Sequence, residues 1–206
     1  MTSKEEQLAH YYDLEYGDFR EDLDFFVQYA LQMDPKRRFP VLELGSGTGR
    51  VSLALVEAGF SVAGVDASAE MLEVCKLHAE ERGVAAKVFL VQADMRDLVG
   101  ATLPVSGFNM AFCAINTFAY LNSTEEQLAM LRGIRPLLVQ HGILIIDLTP
   151  PLPQLLPPHG GEVIHQGSFP DMPGGTLHKM VSGIARPASQ LHDITIFSDY
   201  ESTDVI

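Results

Sequence analysis

The chain has little positive charge, almost no cysteine and no long apolar stretch, and each shortage excludes something. Fourteen Lys and Arg stand against 27 Asp and Glu, a formal net charge of −13 over 206 residues. Nucleic acids and anionic membranes need a basic footprint to neutralise their phosphates. The one dense basic run, Lys36-Arg37-Arg38, reads as a solvated loop, so neither partner is expected. The two cysteines, Cys75 and Cys113, stand singly in helical and strand patterns. They exclude a disulfide frame and read as buried thiols in a reducing compartment. No run approaches the roughly 20 apolar residues of a membrane span, and residues 1–7 are too polar for a leader. A cytoplasmic location is the expectation. None of the seven histidines has metal-ligand spacing such as H-x-x-x-H, so no metal is expected. No Ser/His/Asp or Cys/His arrangement is legible.

Composition is otherwise that of a folded chain, 47% apolar and 20% charged, and the length fits a single domain with a sizeable core. The informative stretch is 41–50, VLELGSGTGR. A short apolar run ends in an acid, three alternating glycines follow at Gly45, Gly47 and Gly49, and a helical pattern opens at Arg50. This is a strand, a tight turn and a helix that bring bare backbone close to a ligand. An isolated acid, Asp66, closes the next apolar run.

The periodicity predicts helices over 4–33 (broken near Gly17), 50–58, 68–82 and 123–139, the last opened by the capping pair Ser123 and Glu126. Strands are expected over 39–44, 61–66, 87–92, 108–114 and 142–148. They are short, nearly continuous apolar runs, most of them separated by helices, as in a parallel sheet buried on both faces. Residues 149–158 hold five prolines and read as an irregular loop. A short strand is possible at 163–166. Residues 176–186 and 190–201 alternate as a one-sided antiparallel hairpin turning near 187–189. The expected segments are thus a helical 1–37, a core 38–148 and a cover 149–206.

The glycine turn departs from the dinucleotide fingerprint G-x-G-x-x-G, whose third glycine falls here on Arg50. A large side chain there obstructs a pyrophosphate. Glu43 would repel that group too, and suits a ligand carrying positive charge. E-x-G-x-G-x-G with Asp66 closing the next strand resembles the S-adenosylmethionine site of the class I methyltransferases of small-molecule type, over roughly residues 11–151.

The resemblance implies an α/β, Rossmann-like, doubly wound sheet of order 3-2-1-4-5, with S-adenosylmethionine as methyl donor and S-adenosylhomocysteine as product. It implies Gly45, Ser46, Gly47 and Gly49 as the floor under the cofactor, and Glu43 as a loop brace or water-mediated ammonium partner. Asp66 would take the ribose hydroxyls or, more simply, cap a helix. Ala67, Met71, Asp94 and Met95 would surround the adenine, while Ala114 and the segment after it face the transferring methyl. Asn116 and Tyr120 are the weak catalytic candidates. Tyr12, Tyr16 and Arg20 would belong to an N-terminal lid, with Arg20 near the methionine carboxylate. His165 and His178 fall in the cover. The implied reaction is methyl transfer to the nitrogen or oxygen of a small molecule. The usual strands six and seven are missing or replaced, which would leave strand five as an edge and favours coverage by the tail or homo-oligomerisation. The rivals are a shortened fold that binds cofactor without catalysis and a nicotinamide-dependent enzyme, which Arg50 and the glycine spacing oppose.

Overall fold

A computed structural model describes residues 3–149, 161–171, 174–189 and 191–202. The chain divides into two compact units, 1–149 and 150–206. In the first, strands β1 (Val41–Leu44), β2 (Val62–Asp66), β3 (Val88–Gln92), β4 (Phe108–Cys113) and β5 (Leu138–Ile146) form a parallel sheet of order β3-β2-β1-β4-β5. Helices α1 (Lys4–Tyr16), α2 (Leu23–Met33), α3 (Arg50–Glu57), α4 (Ala69–Glu81) and α5 (Thr124–Ile134) accompany it.

β1 and β4 are buried at every position, as their apolar runs require. Strand side chains alternate between faces, so Val41 joins Phe26, Val51, Leu55 and Phe60 on one side. Leu42 and Leu44 join Phe108, Met130 and Ile134 on the other. The same alternation points Glu43 toward the face covered by α2 and α3.

Helix starts follow the capping residues. The Ser68 hydroxyl accepts from Met71 N at 3.2 Å and opens α4; Ser123 accepts from Glu126 N at 3.2 Å and opens α5. The helix expected to run to 139 stops at Ile134, because Pro136 has no N–H to continue it. A short 3-10 turn, Arg135–Leu137, feeds β5 four residues before the expected start. β5 absorbs the extra residues in an irregularity at His141: Phe108 pairs with Leu138, yet Met110 pairs with Ile143. α2 begins at Leu23, later than expected, because residues 19–22 form a loop. The basic run is exposed, but Arg37 Nε donates to Ala58 O at 2.6 Å, and buried Asp34 accepts from Phe39 N at 2.9 Å.

In the second unit β6 (Val163–Asp171), β7 (Gly175–Arg186) and β8 (Leu191–Ser202) form an antiparallel sheet in sequence order, β7 and β8 joined by the turn Pro187–Ser189. The expected hairpin is thus a three-stranded sheet. β6 continues past 166 because the pairing shifts register between His165 and Gly167, and Pro170 is tolerated because β6 is an edge strand. The Ser168 hydroxyl sits 3.0 Å from His165 Nε2 and 2.9 Å from His178 Nδ1. The proline loop, from Pro150 onward, and the last four residues lie outside the described residues. Among the described residues no helix is long and apolar enough to cross a membrane.

Candidate active site

Four of the five parallel strands carry an acid at or just past their carboxyl ends: Glu43 in β1, Asp66 in β2, Asp94 after β3 and Asp147 after β5. The glycine turn lies between the first two. Gly45 and Gly49 have φ of 71° and 90°, where side chains are strained. They also stand where two chain segments meet. A Cβ on Gly45 would lie 2.2 Å from Thr117 Cγ2, in the loop after β4, and one on Gly49 would lie 2.3 Å from Cys75 Sγ of α4. The Ser46 hydroxyl is turned into the sheet against Gly64 and has no hydrogen-bond partner among the described residues.

Asp66 ties the turn to α4. Its Oδ2 accepts from Gly47 N at 2.8 Å and its Oδ1 from Ser68 N at 2.9 Å. Glu43 is buried beneath the turn and accepts a hydrogen bond from the Ser52 hydroxyl of α3. Burial pushes its carboxyl up from 4.5 to about 8, against the opposing pull of Ser52 and Arg50. The folded chain therefore keeps a proton that the unfolded chain has lost, so stability falls as pH rises from about 4.5 to about 8. Glu43→Gln retains an acceptor for Ser52 but cannot ionise, and its melting midpoint is expected to fall less across that window than that of the parent. Parallel midpoint-versus-pH curves would show that Glu43 does not titrate there.

Helix α1 lies over the turn. The Tyr12 ring comes within 3.8 Å of the Cβ position of Gly47 and stacks at 4.9 Å on Tyr16. Burial pushes the Tyr12 phenol up to about 12. Asp13 lies 3.1 Å from His78 Nε2, and His78 Nδ1 lies 3.3 Å from Thr48 O, so one imidazole spans α1, α4 and the glycine turn. Arg50 reaches the same region from α3. Its guanidinium meets both Asp22 oxygens, at 2.5 and 2.7 Å, donates to Phe19 O at 3.1 Å and lies over the Phe19 ring. Burial alone would lower the Arg50 pKa, but Asp22 outweighs it and raises it.

Beside this loop a cleft of about 450 Å³ is lined by Tyr16, Phe19, Glu21, Asp22, Ile115, Asn116, Asp147 and Thr149. Its floor is an unusual turn. Ile115 and Asn116 both have positive φ, 43° and 60°, costly for a β-branched residue. Asp147 Oδ2 accepts from Ile115 N at 3.0 Å. The Asn116 amide brackets Thr149, accepting from its N–H at 2.7 Å and donating to its hydroxyl at 3.1 Å.

Residues 41–142 match the model of a methyltransferase domain. This stretch is a methyltransferase domain of the class I, S-adenosylmethionine-dependent type. Over 111 residues it is 40% identical to the cypemycin N-terminal methyltransferase of a Streptomyces species, covering 54% of this chain and 42% of that relative. It is 33% identical over 124 residues to the glycine/sarcosine N-methyltransferase of Aphanothece halophytica, covering 60% and 44%. The chain thus spans less than half the length of these two relatives. The fold is that of the CcbJ methyltransferase of Streptomyces caelestis, with a TM-score of 0.69 at 24% identity over 89% of this chain and 73% of that one.

The residues present fit the methyltransferase cofactor: the turn leaves backbone bare, carboxylates border it, and its one arginine is turned away into the Asp22 pair. Around that turn the class I fold gathers Tyr12, Glu43, Asp66 and the loop glycines. Other expected members stand further off or are engaged. Asp94 is held by Arg96 through its backbone N–H at 2.8 Å and its Nε at 2.9 Å. Met95 is half-buried on the core, Met71 is half-buried in the first turn of α4, Ala67 is exposed and Ala114 is buried. Arg20 is exposed; its carbonyl accepts from Leu23 N at 3.2 Å, and its side chain makes no hydrogen bond or ion pair among the described residues. Of the two catalytic candidates, Asn116 lines the cleft but spends its amide on Thr149, while Tyr120 is 77% exposed and does not line it. Sequence reasoning assigned no role to Asp22, His78 or Asp147. For Asp147 a signal existed: it ends an apolar run as Asp66 does.

Proposed function

We propose that the chain transfers a methyl group from S-adenosylmethionine to a nitrogen or oxygen of a small-molecule acceptor held in the cleft at the ends of β4 and β5. One observation carries the reading: an acid-bordered glycine turn and a separate cleft of small-ligand size share one sheet edge. The two N-methyltransferase relatives, each by its name, support the reaction class.

The cofactor supplies an electrophilic methyl on sulfur. This chain's residues hold, orient and keep dry. Asp66 would take the ribose hydroxyls, and Asp94, released from Arg96, the adenine amino group between Met71, Ala67 and Met95. Arg20 would reach the methionine carboxylate. The tyrosine faces of α1 would cover the sulfonium, which aromatic faces favour. The cleft would present the acceptor's lone pair to that methyl, and the acceptor would give up its proton to solvent. Burial pushes both thiols, Cys75 and Cys113, up to about 12, so neither serves as base near neutrality. Their buried, unpaired state also supports a cytoplasmic home.

Thermal melts with S-adenosylmethionine, S-adenosylhomocysteine and NAD test the reading. An adenosyl ligand at about 100 times its dissociation constant adds about 2.7 kcal/mol, which raises the midpoint by roughly 5–10 °C in a chain of this size. A shift with NAD and none with the adenosyl ligands would sink it. Adenosyl binding without turnover on any amine or alcohol favours the non-catalytic binder.

A further inference from the structure

The cleft beside the glycine turn carries more information than its size. Three of its eight lining residues are acidic, Glu21, Asp22 and Asp147, and none is Lys, Arg or His. The nearby cation, Arg50, is spent on Asp22 through two hydrogen bonds. That leaves Glu21, which is exposed, and Asp147, half-buried at the end of β5. Asp147 uses only Oδ2 within the described residues, on Ile115 N, so Oδ1 keeps its lone pairs for a ligand. The remaining lining offers the Phe19 and Tyr16 rings, the Ile115 side chain and the Thr149 hydroxyl, which accepts from Asn116 and still has its proton to donate.

We propose that the acceptor is a hydroxylated amine without a carboxylate or phosphate, and that Asp147 Oδ1 holds its ammonium at the floor of the cleft. The inference rests on the reading of the cleft as the acceptor site. An amine enters as its cation, is drawn by two unneutralised carboxylates, and gives one proton to solvent before its nitrogen has a lone pair for the methyl. An acceptor bearing its own carboxylate, such as an α-amino acid, meets the same two charges as repulsion and finds no cationic side chain to pair with. The aromatic faces add attraction for a cation and none for an anion. The turn at Ile115 and Asn116 then has a purpose: its two positive φ angles set the Ile115 N–H on Oδ2, which fixes the carboxylate plane and leaves the other oxygen toward the cleft. Asp147 is a specificity residue in this scheme, and Asn116, through Thr149, a positioning residue.

Asp147→Asn separates charge from scaffold, because the amide oxygen still accepts from Ile115 N. The probes are D-glucosamine, glycine and D-glucose, titrated calorimetrically into the full chain saturated with S-adenosylhomocysteine. D-Glucosamine is expected to bind measurably more tightly than the other two. Its affinity should fall about tenfold in Asp147→Asn, with S-adenosylhomocysteine affinity and melting midpoint unchanged. The binding should also weaken as salt is raised in the parent and less so in the variant. Equal binding of glycine and D-glucosamine, no binding of D-glucosamine, or an unchanged affinity in Asp147→Asn overturns the proposal while leaving the methyltransferase reading intact. A protein that does not take up S-adenosylhomocysteine overturns that reading and this one with it.

Discussion

Replacing Asp22 with alanine is expected to cost about 3–5 kcal/mol of unfolding free energy and to lower the melting midpoint by roughly 10 °C. The Arg50 side chain is only 6% exposed and that of Asp22 only 19%, so the pair is far from a surface salt bridge. Without Asp22 the guanidinium keeps the Phe19 carbonyl and ring but stays charged with most of its side chain out of water. The damage comes from that stranded charge more than from the lost attraction, which gives the prediction a second arm. In a background of Arg50→Met the loss from Asp22→Ala should largely disappear, because an apolar chain of similar length needs no counter-ion. Denaturant titrations of the two single variants and the double variant measure this. A loss below about 1 kcal/mol for Asp22→Ala would place the pair with exposed bridges. The same variant should loosen the loop between α1 and α2, since Arg50 reaches it from α3.

Gly49→Ala is expected to cost about 3 kcal/mol, in two separable parts. Holding alanine at φ of 90° costs about 1–2 kcal/mol. Pressing a methyl to 2.3 Å from Cys75 Sγ adds the typical 1–3 kcal/mol of an overpacked core. Trimming the thiol removes the second part and leaves the first. Gly49→Ala in a Cys75→Ala background should therefore cost only about 1–2 kcal/mol. Strict additivity of the two substitutions in urea unfolding would mean that α4 moves aside freely and that Gly49 is not needed for close packing. Cofactor binding gives an independent readout: any displacement of the N-terminal end of α3 shifts the backbone of the glycine turn.

Local features were the legible ones. The order β3-β2-β1-β4-β5 followed from the resemblance that Glu43, the three glycines and Asp66 carry, and Ser68 and Ser123 announced their helices because a cap acts within four residues. The start of β5 was misplaced because Leu138 and Val139 fit a helical face as well as a strand, and only the position of Pro136 decides between them. β6 was underestimated because Gly167 and Pro170 read as breakers, whereas an edge strand with a register shift accommodates both. The site was legible where function sits on one short segment and opaque where it is assembled. Arg50 and Asp22 are 28 residues apart, and Ile115 and Asp147 are 32. No periodicity links such pairs, and charge alone offers several partners for each. His78 was invisible for the same reason: its two contacts lie on α1 and on the glycine turn, which only the folded chain brings to one ring.

The two sheets differ in what the chain must do to make them. In the C-terminal one each strand pairs with the strand next to it in sequence, β6 with β7 and β7 with β8. In the parallel one, β1 must wait for β4, with β2, α4 and β3 made in between. Closing those long loops loses chain entropy before any contact rewards it. Hairpins form in about 1–10 µs, whereas parallel pairings of high sequence separation belong to the slower end of folding times. The chain is therefore expected to fold on two clocks, with the slower part first in its order: the segment holding the glycine turn and the acids should be the last to take shape.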